Sequence, residues 1–265
     1  MHIFTITAGR TGTDWLASFI SANLKIEAVH EHLGVDDFGT RTPDIRTMRH
    51  FNDLGMTPIV NRFWKEKFDS LQNISDYCET NHTLSKCGII EYLVSSNSNI
   101  NPKFLILRRG WEDLATSYFI RGDFRNYTII WQWYLDYRYR IKIVDFESFA
   151  SLGGMAPVFW YIAEMEARQE YYRQLYSNRF TFVDCQLEDM VTANGARALL
   201  RTLGSDAEPI LPPKKNANVR TPSDEFRQQI SAAAKKVSFD PTAIAASFIR
   251  SGRRLGTPST VAMPD

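Results

Sequence analysis

Residues 8–15 read Ala8-Gly9-Arg10-Thr11-Gly12-Thr13-Asp14-Trp15. Glycines in such a segment let the backbone turn sharply, so that successive N–H groups can face one anion-holding concavity. A helix beginning at the turn would add the positive end of its dipole. Arg10 supplies a planar fork matched to phosphate or sulfate oxygens. A second candidate follows the apolar run 103–107: Arg109 stands just beyond it, and Ser117 comes eight residues later. An arginine at the carboxyl end of a parallel strand sits at the ligand-binding edge of its sheet. Ser117 would lie about two helical turns further on and could face it. Plainer readings stay open for both segments. The first could be an ordinary turn between strand and helix, and Arg109 could simply pair with Asp113.

The nucleotide-hydrolase loop GxxxxGK[ST] is not met, because Thr13 rather than lysine follows Gly12. The segment Arg10-Thr11-Gly12-Thr13-Asp14-Trp15 instead resembles the 5′-phosphosulfate loop of sulfotransferases that use 3′-phosphoadenosine 5′-phosphosulfate (PAPS). That loop runs as a basic residue, then Ser/Thr-Gly-Thr-Thr, then often tryptophan, and Asp14 is the one departure. Arg109 and Ser117 have the spacing of the family's pair for the 3′-phosphate, and Asp113 and Tyr118 also fall where the family often has them. Gln186-Leu187-Glu188-Asp189-Met190 and Lys214-Lys215-Asn216-Ala217-Asn218 are similar to two later family segments. The resemblance implies a P-loop nucleotide-binding fold and PAPS as sulfuryl donor, with PAP released and no metal. It also implies a cofactor site formed by Gly9, Arg10, Thr11, Gly12, Thr13, Asp14, Trp15, Arg109, Ser117 and Lys215.

Sulfuryl transfer needs in-line positioning, stabilisation of charge on the departing phosphate oxygen, and removal of a proton from the acceptor. Arg10 is the candidate for the charge. Many relatives take the proton with a histidine after a Lys-Thr pair, but Ser85-Lys86-Cys87-Gly88 has none and His82 lies earlier. Other relatives, tyrosylprotein sulfotransferases among them, place a glutamate after the second strand. Glu31 stands there, 21 residues beyond Arg10, flanked by His30 and His32. Glu31 is therefore the expected general base, although the trio could equally be a polar loop edge. Phe124, Tyr127, Trp131, Trp133, Tyr134 and Tyr137 could line an acceptor pocket or pack in a helical core. The acceptor is a small molecule, glycan or peptide bearing a hydroxyl (or amine). A P-loop kinase, with Phe182-Val183-Asp184 as its magnesium strand, and a non-catalytic nucleotide-binding protein are the alternatives.

These residues need a frame. Segments 2–7, 25–30, 83–88, 103–107 and 179–183 read as strands. Segments 15–20, 57–77, 111–120, 127–146, 157–176 and 192–203 read as helices, with two weaker helices after the loop 212–221. Residues 34–43 read as a surface loop. The alternation predicts an α/β fold with a central, mainly parallel sheet flanked by helices on both faces. It is expected as one domain over 1–255, with a disordered tail at 256–265. Of the 265 residues 44% are hydrophobic and 23% charged, and the net charge is +1. That balance argues against a duplex nucleic-acid partner held through phosphates. Three cysteines at irregular spacing suggest neither a zinc site nor a disulfide framework. With no leader-like segment and no run of membrane-spanning length, a cytoplasmic protein without a membrane partner is expected.

Overall fold

Successive side chains of a strand point to opposite faces, and strand β1 (His2–Thr7) is buried on both. The computed structural model describes residues 1–96, 98–124, 133–214 and 221–257. Four further strands, β2 (Glu27–Val29), β3 (Tyr77–Glu79), β4 (Lys103–Arg108) and β5 (Thr181–Gln186), join β1 in the order β2-β3-β1-β4-β5. Every pairing is parallel. On one face Ile3, Cys78, Leu105, Leu107 and Val183 pack with helices α1 (Thr13–Leu24) and α8 (Ala193–Leu203). On the other, Phe4, Ile6, Phe104 and Ile106 meet α3 (Pro58–Leu71), α4 (Ile89–Ser95) and α6 (Ala156–Tyr176). The expected α/β architecture, with helices on both faces of a parallel sheet, is the one observed.

The strand order determines where a ligand can sit. From β1 the chain moves past the place later filled by β3 to form β2, returns to β3, and crosses to β4 on the far side. The loop after β1 therefore emerges where its neighbours diverge, the switch point at which open α/β sheets take ligands. Helix α5 (Trp111–Arg121) follows β4 at the same edge, and its first turn carries Glu112 and Asp113 against the dipole. Near the carboxyl end α9 (Asp224–Lys236) packs on α5, and α10 (Pro241–Arg250) on α6. No helix among the described residues is long and apolar enough to cross a membrane.

Several expected elements differ. The helix expected over 57–77 stops at Leu71, and Tyr77–Glu79 is a strand in the middle of the sheet. The strand expected over 83–88 is instead a short 3-10 turn, Leu84–Lys86. Helix α2 (Ile45–Leu54) arises where no element was expected. Asp44 starts it by accepting from the N–H of Thr47, and Met48 and Phe51 fill the core. The aromatic stretch 127–146 is not a helix over its described residues 133–145. Its backbone is satisfied from α6 instead: Glu164 accepts from the N–H groups of Ile143 and Val144, and Arg168 donates to the carbonyl of Ile141. A 3-10 helix, Phe146–Met155, then leads into α6. Tyr127, Trp131, Lys215, Asn216, Ala217, Asn218 and residues 258–265 lie outside the described residues.

Candidate functional site

The turn after β1 is held in one shape. Gly9, Arg10 and Gly12 all have left-handed backbones, with φ of 89, 58 and 88°. A non-glycine residue in that region is uncommon and strained unless its surroundings fix it. Here they do. The carbonyl of Ala8 accepts from the hydroxyls of Tyr161 at 2.6 Å and Tyr118 at 2.9 Å, and Tyr118 also reaches the carbonyl of Gly9. Gln169 donates to the carbonyl of Ile6 at 2.9 Å. With the carbonyl of Gly9 held inward, the trans peptide turns the N–H of Arg10 outward. The hydroxyls of Thr7 and Thr11 share a buried hydrogen bond of 2.5 Å. Thr11, expected as an anion contact, is therefore engaged in the core and 1% exposed.

Gly12 begins α1, and a Cβ built on it would lie 2.6 Å from Cδ1 of Leu187. Gly12→Ala is thus expected to destabilise the fold by about 1–2 kcal/mol from the left-handed backbone alone. A thermal melt checks this, and an unchanged midpoint would mean the turn relaxes freely.

The two candidate anion motifs meet. Nε of Arg10 donates to Oγ of Ser117 at 3.1 Å, and Nη1 of Arg109 donates to the carbonyl of Arg10 at 3.2 Å. They border a cleft of about 660 Å³ whose basic side chains among the described residues are Arg10, Arg109, Lys214 and Arg227, with His30 at its wall. Gly12, Thr13, Asp14 and Trp15 also line it, whereas Gly9, Thr11 and Ser117 do not. Ser117 was expected as a direct phosphate contact, but it is 1% exposed and sits behind Arg10. A helix turns about 100° per residue, so Thr116 reaches the cleft wall and Ser117 faces inward. Arg10 is held somewhat below the usual guanidinium range by burial, with Arg121 nearby adding to the effect. Among the cleft carboxylates, Asp113 lies 4.0 Å from Arg109 and Glu188 accepts from the N–H of Gly110. Asp14 stands in the first turn of α1, where negative charge complements the dipole.

Two late segments complete the cleft. Asn23 on α1 exchanges a pair of hydrogen bonds with the backbone of Ile210, at 2.7 and 2.8 Å, and Trp15 donates to the carbonyl of Pro212. These ties bring Lys214 to the rim. Arg227 arrives on α9, which Phe226 and Ser231 fasten to Phe119 and Glu112 of α5. Arg227 was not singled out in the sequence; a lone arginine on a late helix carries no motif.

The carboxyl ends of β2 and β3 supply a second cluster. Glu31 has a left-handed φ of 50° and lies 3.6 Å from Nε2 of His82. Burial raises the carboxyl of Glu31, while His30 and the backbone N–H of His82 act the other way. His30 is fixed by donating to the carbonyl of Thr80, and His32 contacts the hydroxyl of Tyr77. The ring of His82 underlies the turn after β1, since a Cβ on Gly9 would lie 3.1 Å from its Cγ. Nζ of Lys86 is 2.6 Å from Nδ1 of His82. Tyr134 stacks on His82, and Phe124 on Tyr134, so these aromatics adjoin the cluster as well as packing in the core. The sequence set His82 aside as lying too early for the family's base and gave Lys86 no role; their i, i+4 spacing after a buried strand was the available signal.

Asp184, the residue expected to hold magnesium in a kinase, is instead gripped by Arg173, with one bond of 2.7 Å, and by Arg108. No group of three or more potential metal ligands occurs among the described residues. The fold and the site together define an α/β protein with a basic cleft at its switch point. Comparison with protein-family models, curated proteins and solved structures yields no match.

Proposed function

We propose that this chain is a sulfotransferase that moves the sulfuryl group of PAPS to a hydroxyl or amine and releases PAP. One observation carries the reading: the turn holding Arg10 and the β4–α5 segment holding Arg109 and Ser117 touch each other at the wall of one cleft. A volume of about 660 Å³ suits a nucleotide-sized ligand. The four basic side chains there among the described residues suit an anion with a phosphate at each end. In this reading Arg10 and the first-turn amides of α1 face the 5′-phosphosulfate. Ser117 orients the Arg10 fork. Arg109, joined by Lys214 and Arg227, meets the 3′-phosphate. Glu31 takes the acceptor proton as the acceptor oxygen bonds to sulfur and the bond from sulfur to the phosphate oxygen breaks. The electron pair of that bond leaves on the phosphate, where the Arg10 guanidinium offsets the charge.

Thermal shift with PAP and AMP tests the cleft directly. A hundredfold excess over Kd adds about 2.7 kcal/mol of stability. PAP is expected to raise the melting temperature and AMP to leave it nearly unchanged, because AMP lacks the 3′-phosphate. Arg109→Ala should remove most of the difference. Equal shifts with the two nucleotides would sink the reading. A larger shift with ATP and magnesium would favour the kinase alternative.

A further inference from the structure

The ammonium of Lys86 is fully buried, yet it is surrounded by acceptors rather than by carboxylates. Nδ1 of His82 lies at 2.6 Å, the carbonyl of Trp133 at 2.6 Å and the hydroxyl of Tyr161 at 3.0 Å. Three protons thus meet three acceptors. The rings of Tyr134 and Tyr161 each lie 5.4 Å from Nζ, which adds attraction for a cation. A proton donated by Lys86 leaves Nδ1 of His82 as acceptor, so in the neutral imidazole the ring proton resides on Nε2. That N–H faces Oε1 of Glu31 across 3.6 Å. On its other side, Lys86 bonds to Tyr161, whose own proton goes to the carbonyl of Ala8 at 2.6 Å. One buried amine therefore joins the carboxylate after β2 to the turn after β1.

We infer that Lys86 is a positioning residue, fixing His82 as the Nε2–H tautomer aimed at Glu31 and, through Tyr161, anchoring the anion-binding turn. This deepens the sulfuryl-transfer reading and rests on it for the effect on turnover; the tautomer itself does not depend on the reaction. Burial holds Lys86 down to about 7, and holds His82 well below the usual imidazole range. At pH 6, then, a charged Lys86 faces a neutral His82.

The test is nitrogen NMR on the ¹⁵N-labelled full chain at pH 6, paired with PAP titration and with PAP release from PAPS using 2-naphthol as acceptor. The wild type is expected to show His82 with a bare Nδ1 and a protonated Nε2. In Lys86→Met that signature should be lost, turnover should fall about 10- to 100-fold, and PAP affinity should weaken by a smaller factor than turnover, since Lys86 reaches the turn only through Tyr161 and does not line the cleft. Lys86→Gln, which keeps a donor, should recover part of both the tautomer and the rate. A proton on Nδ1 of wild-type His82, or a tautomer unmoved in Lys86→Met, overturns the inference. If the Met variant does not fold, the wild-type spectrum still decides it. Absence of PAP binding in the wild type would instead overturn the functional reading and leave the tautomer result intact.

Discussion

If the chain transfers sulfuryl groups as proposed, Arg10→Met is expected to cut PAPS turnover by two to three orders of magnitude while the protein stays folded. The reasoning starts from charge. When the bond from sulfur to the phosphate oxygen breaks, negative charge builds on that oxygen, and a donor already aimed there lowers the barrier without reorganising. Loss of one such donor costs about 3–4 kcal/mol. Arg10 is aimed in advance, because Ser117 accepts from its Nε at 3.1 Å and its backbone is locked in the left-handed region. Arg10→Lys keeps a charge but loses the fork, so it should recover only part of the rate. Ser117→Ala should lie between the two, since it frees the fork without removing it. Measurement of kcat and KM for the three variants decides the matter. A rate unchanged in Arg10→Met would place charge stabilisation elsewhere.

Glu31→Gln is the second large effect. The amide keeps the shape of the carboxylate and can still accept from the backbone of His82, so folding and PAP affinity should be unaffected. It cannot take a proton, and turnover should fall by a factor of about 10²–10⁴. The pH profile gives an independent check. A base works only when deprotonated, and burial raises the carboxyl of Glu31 above its ordinary value. Wild-type activity should therefore be full on the alkaline side and fall as the pH drops through that raised value, with the limb displaced upward from an exposed glutamate. The variant should lack this limb. Persistence of the limb in Glu31→Gln would assign it to another group, with His82 the first to examine.

Much of this site was legible in the sequence because its signals are local. The alternation in β1, the glycine turn and the helical run that follows lie within one short window. The apolar run Phe104–Leu107 of β4 ends two residues before Arg109. What escaped was stabilised from a distance. β3 is three residues long and carries Glu79 at 0% exposure, a composition that argues against a buried strand. Its charge is matched by Lys67 on α3 at 2.6 Å, with Tyr77 donating to the same oxygen at 2.9 Å. No periodicity reveals a partner supplied by another element. Misplacing β3 also misplaced the acid–base cluster, because His82 and Lys86 take their position from the end of that strand. The aromatic residues before α6 misled for the same reason: their backbone bonds are made by Glu164 and Arg168, not by a helix of their own.

The tyrosine and glutamine side chains beneath the first turn have a consequence for how an anion is captured. A glycine-rich segment free in solution samples many shapes, and fixing each residue costs about 1–2 kcal/mol of entropy. Here Tyr118, Tyr161 and Gln169 hold the carbonyls from below, so that loss was incurred when the chain folded. On the proposed reading, an incoming polyanion would meet a rigid rim and have only its own freedom to give up.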